Sequence, residues 1–367
     1  MAQEMRAQLS ILFAGGGTAG HLLPALATEE ALRKIIDSRA NVQLVTAYLA
    51  TKKGPEVAIL QERGLPYHFV PKTDLPRKIG VGVLTFLPRL LVAIVRTMPL
   101  VHRADVVVGF GGYVALPAYL SAALLRKPLI VHEANALPGL ANRLGKRLAT
   151  RALANFPISG WNSSDVIGLP IREAIWKIGT LNPDERGRQQ LLARAKFSLD
   201  PTKKTLLIFG GSLGAAKLNQ ILSESLDQLL ARGLQILHGT GEGKEVLSPR
   251  PGYYPLPYIS EMDQAYLAAD LLLCRSGAGT CAEIMATGIP AILVPLSIGN
   301  GEQMLNAQQL LKNGNVRVVS NNELNPQLLL EAVDALSSNP ILVTDHGSSP
   351  AEQLAMTILE SIDQGGK

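Results

Sequence analysis

Four short glycine clusters carry the first chemical signal in this chain. They are Gly15-Gly16-Gly17-Thr18-Ala19-Gly20-His21, Gly109-Phe110-Gly111-Gly112-Tyr113, Gly210-Gly211-Ser212-Leu213-Gly214 and Arg275-Ser276-Gly277-Ala278-Gly279. Each follows a short apolar run and opens a helical stretch. Glycine lets backbone approach a ligand closely, and the N–H groups at a helix start attract phosphate oxygens. One such loop is ordinary turn chemistry. Four at the carboxyl ends of expected strands point to a site that handles more than one phosphate group. Gly15, Gly17 and Gly20 formally satisfy the dinucleotide fingerprint, but the second strand ends Val45-Thr46-Ala47-Tyr48-Leu49 with no carboxylate to hold a ribose, which disfavours NAD. Glu283, about one turn into the helix beginning near Gly279, is placed either to accept from a ribose diol or to complement the helix dipole.

The elements that must position these loops alternate in the manner of a βαβ chain. The apolar runs predict strands at 9–14, 42–47, 67–71, 106–110, 129–132 and 151–155 in the first half. In the second half they predict strands at 205–209, 234–238, 254–257, 271–274, 291–295 and 316–319. Helices are expected over 22–34, over the polar, arginine-rich 184–196, and over 351–363. Each half opens with an apolar strand ending in glycines, SILFAGGG and TLLIFGGSLG, the echo expected of two Rossmann-like domains. Gly168-Leu169-Pro170-Ile171-Arg172 is read as a hinge. The expected division is a first domain over 1–169, a second over 170–350, and a terminal helix over 351–367 packing back on the first.

At 367 residues the chain is long enough for two such domains. It is 47% hydrophobic and 18% charged, more apolar than an average soluble protein. Its two cysteines, Cys274 and Cys281, cannot make a disulfide framework and suit a reducing compartment. The start does not read as a secretory signal, and the charge-free stretches 106–125 and 284–301 are broken by glycine and proline, so a cytoplasmic chain without membrane spans is expected. The net charge of +5 is compatible with a membrane or an anionic substrate. No basic run interleaved with aromatics speaks for nucleic acid. Between Arg77 and Arg103 there is no acidic residue, and Arg77, Lys78, Arg89, Arg96 and Arg103 alternate with Val83, Leu84, Phe86, Leu87, Leu90, Leu91, Ile94 and Val95. That mixture suits an interfacial helix on an anionic membrane, or a helix whose apolar face packs on a sheet while its arginines are solvated.

GGGTAGHLLPAL, GFGGYVALPA, HEANALPGLANR, GLPIR, GGSLGAAKLN, HGTGEG, RSGAGTCAEI and Glu302-Gln303-Met304-Leu305-Asn306-Ala307 together resemble, in order and near spacing, the MurG family over nearly the whole chain. The family transfers N-acetylglucosamine from UDP-N-acetylglucosamine to the muramyl 4-hydroxyl of undecaprenyl-diphosphate-linked N-acetylmuramyl-pentapeptide, a step of peptidoglycan synthesis. The resemblance implies the α/β GT-B fold, with two doubly wound, parallel-sheet domains facing a cleft. It also implies inverting transfer without metal or other cofactor, at the cytoplasmic face of the membrane. The absence of an Asp-x-Asp pair agrees with metal independence. By that resemblance Ser212 and Arg172 contact the donor diphosphate, the Ile259 backbone contacts uracil, Glu283 the ribose, and Gln303 with Glu302 the sugar. Thr18, Gly20 and Asn135 join these UDP-sugar contacts, with Asn135 and His21 toward the acceptor. Gly16, Gly17, Gly111, Gly112 and Tyr113 cradle the acceptor diphosphate. The expected base is His21, kept neutral beside a helix N-terminus, with Glu133 as the alternative.

Four places depart from the family pattern: Ala19 for glycine, Ala134 for the glutamine of H-E-Q-N, Thr51–Glu56 in place of a segment with Gly-Leu-Glu, and Glu302 for histidine or glutamine. Two other readings stay open. One is a different GT-B transferase or a sugar-nucleotide epimerase, with a soluble acceptor or none. The other is a non-catalytic UDP-sugar binder, against which His21, Glu283 and Gln303 argue. Protein partners and oligomeric state leave no mark in the sequence.

Overall fold

The computed structural model describes residues 7–17, 19–39, 42–52, 54, 56–71, 73, 81–211, 216–244, 247–296, 300–343 and 347–365. The chain divides into two compact units, Met1–Arg172 with Ser348–Lys367, and Glu173–Gly347.

The first unit holds strands β1 (Ala7–Gly15), β2 (Val42–Ala50), β3 (Tyr67–Phe69), β4 (Val106–Gly111), β5 (Leu129–Glu133) and β6 (Arg151–Ala154). Its helices are α1 (Ala19–Asp37), α2 (Glu56–Glu62), α3 (Val81–Arg103), α4 (Ala115–Leu124) and α5 (Leu140–Leu148). All strand pairs are parallel, in the order β3-β2-β1-β4-β5-β6. Successive side chains of β1 serve opposite faces of this sheet. Leu9, Ile11 and Phe13 pack with Leu22 and Leu26 of α1, whereas Leu12 and Ala14 pack with Val101 of α3 and Ala118 and Tyr119 of α4.

The second unit repeats the plan with β7 (Lys204–Phe209), β8 (Leu234–Gly239), β9 (Tyr253–Leu256), β10 (Leu271–Cys274), β11 (Ala291–Leu293) and β12 (Val316–Val318). Its order, β12-β11-β10-β7-β8-β9, is again parallel throughout and is the same doubly wound topology. The helices are α6 (Glu173–Trp176), α7 (Pro183–Lys196), α8 (Ala216–Ala231), α9 (Met262–Ala268), α10 (Ala278–Thr287), α11 (Glu302–Leu310) and α12 (Pro326–Leu336). Asn182 and Asn325 cap α7 and α12, each accepting from the amide three residues on, with proline at the next position. The polar, arginine-rich helix expected over 184–196 forms as α7, and it buries two of its arginines. Arg194 is buried, donating to Asp270 Oδ2 at 2.5 Å, to Pro201 O at 2.8 Å and to Ala268 O at 3.3 Å, and so ties α7 to the start of β10.

A final helix, α13 (Pro350–Gly365), returns to the first unit, where Leu354, Ala355 and Ile358 join the core beside α1. A capping box starts it: Ser349 N donates to Glu352 Oε2 (2.8 Å), and Glu352 N donates to Ser349 Oγ (3.2 Å). Among the described residues no helix is long and apolar enough to cross a membrane. The stretch 106–125 resolves into β4, a turn and α4. Both cysteines are buried thiols, and burial pushes them toward the protonated form.

Candidate functional site

In a doubly wound sheet the helices leave on opposite faces where the strand order reverses, and a crevice opens at the carboxyl ends of those strands. In the first unit the reversal falls between β1 and β4. The loops that follow these strands, Gly15–Gly17 and Gly111–Tyr113, cross there. Gly112 has φ +79°, and a Cβ on it would sit 2.8 Å from Gly16 O and 3.1 Å from His21 Nδ1. Gly17 has φ +90°, and its Cβ would lie 3.0–3.2 Å from the Tyr113 ring. These two glycines are required by close approach and by backbone conformation together. Gly109 has a different reason: with Gly145 it makes room for the Tyr119 ring, which a Cβ on either would strike.

His21 stands inside the first turn of α1, a little further into the helix than the sequence reading put it. It is half-buried, with Nδ1 3.3 Å from Gly16 O. A carbonyl only accepts, so Nδ1 carries the hydrogen and the neutral ring keeps its lone pair on Nε2. Burial lowers the proton affinity of the ring, while the Gly16 carbonyl and the Glu56 carboxylate pull it back up. Gly20 is exposed on the same turn. Thr18 lies outside the described residues.

Two buried carboxylates organise this end of the unit. Glu56, at the start of α2, accepts at one oxygen, Oε1, from Thr51 N (2.9 Å), Thr51 Oγ1 (2.8 Å) and Gly17 N (3.1 Å). These donors hold its proton affinity below the ordinary carboxylate value against the burial that raises it. Glu133, at the end of β5, accepts from Asn135 N (2.9 Å), Gly139 N (3.0 Å) and Asn142 Nδ2 (2.9 Å), with Asn135 Nδ2 at 3.4 Å. Burial raises its proton affinity. Its oxygens are occupied in shaping the turn that presents Asn135, an arrangement suited to positioning rather than to taking a proton from a substrate. Asn142 continues the chain, accepting from the Tyr119 hydroxyl (2.8 Å), which in turn accepts from Gly111 N (3.2 Å).

The second unit presents the matching reversal between β7 and β10. Of the loop after β7, Ser212 lies outside the described residues; the loop after β10 leads into α10. A Cβ on Gly277 or Gly279 would meet nothing within 4 Å, which leaves open space for a ligand against the start of α10. Arg275, in contrast, is buried and donates to Val294 O (2.9 Å) and Asn321 Oδ1 (2.8 Å), so it belongs to the scaffold. Glu283 is half-buried on α10, and the Tyr266 hydroxyl from α9 donates to its Oε2 at 2.7 Å. Gln303 Oε1 accepts from Leu296 N (2.9 Å), which sets the amide's orientation, and its carbonyl accepts from Ser276 Oγ (2.8 Å). Glu302 Oε2 accepts from Asn300 N (2.8 Å) at the start of α11. Ile259 is buried against Gly239 at the end of β8. His238, also buried, links β8 to α8 through Asn219 Oδ1 (3.2 Å) and to β9 through the Tyr253 hydroxyl (3.0 Å). Arg172, half-buried, stands at the junction of the two units.

Glu56, Tyr266 and the Tyr119–Asn142 pair were not among the residues singled out for chemistry from the sequence. Glu56 and Asn142 were visible only as members of motifs. Nothing local links Tyr266 to Glu283, seventeen residues away on another helix.

Two Rossmann-like units of doubly wound topology make the GT-B fold, and the family models that match both units make the chain a glycosyltransferase. Residues 11–154 match the glycosyltransferase family 28 N-terminal domain, and residues 205–358 the glycosyltransferase family 28 C-terminal domain. The chain is 42% identical to a Nocardia farcinica UDP-N-acetylglucosamine–N-acetylmuramyl-(pentapeptide) pyrophosphoryl-undecaprenol N-acetylglucosamine transferase, over 94% of this chain and 91% of that protein. A Streptomyces coelicolor protein of the same name is also 42% identical, over 94% and 93%. The crystal structure of Acinetobacter baumannii MurG superposes with a TM-score of 0.71 at 27% identity, covering 96% of this chain and 99% of that one. The calicheamicin glycosyltransferase CalG4, at 14% identity and a TM-score of 0.61, shares the fold. The chain belongs to the MurG family of glycosyltransferase family 28.

Proposed function

We propose that the protein transfers N-acetylglucosamine from UDP-N-acetylglucosamine to the 4-hydroxyl of the N-acetylmuramyl-pentapeptide carried on undecaprenyl diphosphate. The observation that carries the mechanism is the crossing of the two glycine loops at the β1/β4 reversal. There Nδ1 of His21 lies 3.3 Å from Gly16 O, a contact that supports reading Nε2 as the base. In the reaction the acceptor hydroxyl oxygen bonds to the anomeric carbon, the bond from that carbon to the UDP oxygen breaks, and the hydroxyl proton passes to His21 Nε2. A single displacement of this kind inverts the anomeric configuration. No metal ion is assigned, since backbone amides and Arg172 can carry the departing diphosphate charge.

The donor is read onto the second unit, with Glu283, oriented by Tyr266, accepting from the ribose diol. The Ile259 backbone reads uracil, Gln303 and Glu302 the sugar hydroxyls, and Ser212 and Arg172 the diphosphate; Thr18, Gly20 and Asn135 add contacts from the first unit. The acceptor is read onto the first unit. There the amides of Gly17 and Gly111 are already occupied by Glu56 and Tyr119. Gly16, Gly112 and Tyr113 complete the reading of the acceptor diphosphate cradle.

A membrane-facing role for the first unit is supported by α3. Leu87, Leu91, Val92 and Val95 are exposed together on one side of it, 48–66% accessible. Arg89, Arg96 and Arg103 repeat at seven-residue spacing along the edge of that side, and all three are exposed. Helix α5 exposes Leu140, Leu144 and Leu148 beside Arg143 and Arg147. Apolar side chains flanked by arginines suit the headgroup boundary of an anionic leaflet, here the cytoplasmic face on which the lipid-linked acceptor is met.

The test of the substrate assignment is UDP release from UDP-N-acetylglucosamine with the lipid-linked muramyl-pentapeptide, with soluble acceptors, and with none. Release that requires the lipid-linked acceptor is expected; equal release without it would overturn the assignment. For the membrane reading, co-sedimentation with anionic vesicles is expected to fall in the Arg89→Glu, Arg96→Glu double variant. Equal pelleting would contradict it.

A further inference from the structure

The peptide between Gly16 and Gly17 is engaged at both of its polar ends. Its N–H donates to Glu56 Oε1 at 3.1 Å, and its carbonyl oxygen lies 3.3 Å from His21 Nδ1. One planar amide thus stands between a buried carboxylate and the imidazole. We propose that Glu56 is a positioning residue that acts on His21 through the Gly16–Gly17 peptide, as a carboxylate–peptide–imidazole relay that fixes the reactive tautomer and strengthens the base.

A carboxylate hydrogen-bonded to an amide N–H draws electron density toward the carbonyl oxygen of the same amide, because hydrogen bonds in a chain polarise one another. The more basic Gly16 oxygen binds the Nδ1 hydrogen more strongly, which favours the tautomer with its lone pair on Nε2 and stabilises the imidazolium formed once the proton arrives. A carboxylate bonded directly to a catalytic histidine does the same work in hydrolases; here one peptide is interposed.

Glu56 is fully buried, and Oε1 takes all three donors, while Oε2 has no hydrogen-bond partner among the described residues. A carboxylate kept dry and bonded on one side only carries a desolvation cost, which its hydrogen bonds, the one from Gly17 N among them, offset. Its three donors already hold it in the ionised form.

A Cβ on Gly16 would lie 3.2 Å from Glu56 Oε1, and one on Gly112 would lie 2.8 Å from Gly16 O. The relay peptide is therefore clamped by α2 on one side and by the β4–α4 loop on the other. Among the described residues the Glu56 carboxylate is a charge that reaches His21, and the Tyr113 phenol packs over Gly17.

This inference rests on the reading of His21 as the base, and the experiment separates the two. Wild type, Glu56→Gln, Thr51→Val and His21→Ala are compared in acceptor-dependent UDP release across pH. The imidazole tautomer of His21 is read in the 15N-labelled full-length protein. Glutamine keeps an oxygen to accept from Gly17 N but removes the charge. It is expected to lower kcat about tenfold with donor KM within about twofold, and to move the acid limb of kcat/KM to lower pH. Thr51→Val removes one donor to Oε1, leaves the charge, and is expected to keep the wild-type acid limb. Wild-type protein is expected to hold His21 mainly as the Nδ1–H tautomer.

A wild-type kcat and pH profile in Glu56→Gln, with His21→Ala inactive, would overturn the relay. So would the same shift in Thr51→Val, or a predominant Nε2–H tautomer, which is measurable even if Glu56→Gln fails to fold. Full activity in His21→Ala would instead overturn the base.

Discussion

Replacing Gly112 with alanine tests the loop crossing most sharply, because the structure predicts two separable costs. The first is conformational: φ is +79°, where an L side chain costs roughly 1–2 kcal/mol, partly offset by the stiffer unfolded chain. The second is crowding. The new Cβ would stand 2.8 Å from Gly16 O, a backbone atom fixed by its own neighbours, and 3.1 Å from His21 Nδ1. One of the two loops must yield by a few tenths of an ångström. Gly64 in the same unit is the internal control, since its φ is +62° and a Cβ there meets nothing within 4 Å. Gly64→Ala is expected to cost about 1 kcal/mol by the first effect alone. Gly112→Ala is expected to cost about 2 kcal/mol and, because His21 moves with Gly16, to lower kcat about 10- to 100-fold. Urea unfolding and acceptor-dependent UDP release read the two effects. Equal stability of the two variants together with wild-type kcat in Gly112→Ala would refute the crossing as the device that holds the base.

Three further outcomes are expected. Asp270→Ala strips the partner from the buried Arg194 guanidinium and from Thr205 N (2.7 Å), and should destabilise the second unit by about 3 kcal/mol or more in urea unfolding; a loss below about 1 kcal/mol would contradict the account of α7. Tyr266→Phe removes one hydrogen bond to Glu283 and should raise donor KM about 2- to 10-fold with little change in kcat; an effect on kcat alone would place Glu283 elsewhere than at the ribose. Buried His132 and His238 are both held neutral, with proton affinity pushed down to about 4. Their unfolded forms take up protons near pH 6.5, so the folded state should lose stability as pH falls from about 6.5 toward 4, by roughly 1.4 kcal/mol per pH unit for each. Unfolding midpoints measured through that window should slope, and His238→Gln should flatten the slope of the second unit; a slope unchanged by that substitution would contradict the assignment.

The strands of the described residues were legible as short runs rich in apolar side chains; β4, β5, β10 and β11 are buried on both faces, whereas the edge strands β3 and β12 are only partly buried, and both sheets take the order that alternating strands and helices lead one to expect. Strand ends were less so. β1, β4 and β8 each run on into a glycine that the sequence reading assigned to the following loop. The start of α1 was placed three residues late because the glycines before it mask where helical pairing begins. At the site, the position of His21 and the presence of glycine loops could be read from types and spacing. The direction in which each amide points could not. Whether Gly17 N–H faces a phosphate or a carboxylate depends on Glu56, thirty-nine residues away, and Gly111 N–H turns inward because Tyr119 fits between Gly109 and Gly145. Those are consequences of tertiary packing, and no local pattern encodes them. The same limit hid Arg194, whose burial on a polar helix follows from its contacts with Ala268 and Asp270, more than seventy residues away.

The most direct test of the central claim is the transfer of labelled N-acetylglucosamine from UDP-N-acetylglucosamine onto undecaprenyl-diphosphate-linked N-acetylmuramyl-pentapeptide, by wild type and by His21→Ala at matched folding. A labelled disaccharide-lipid is expected from the wild type, formed at least about 100-fold more slowly by the variant. Equal rates for the two proteins, or label released as free sugar without appearing on the lipid, would contradict it.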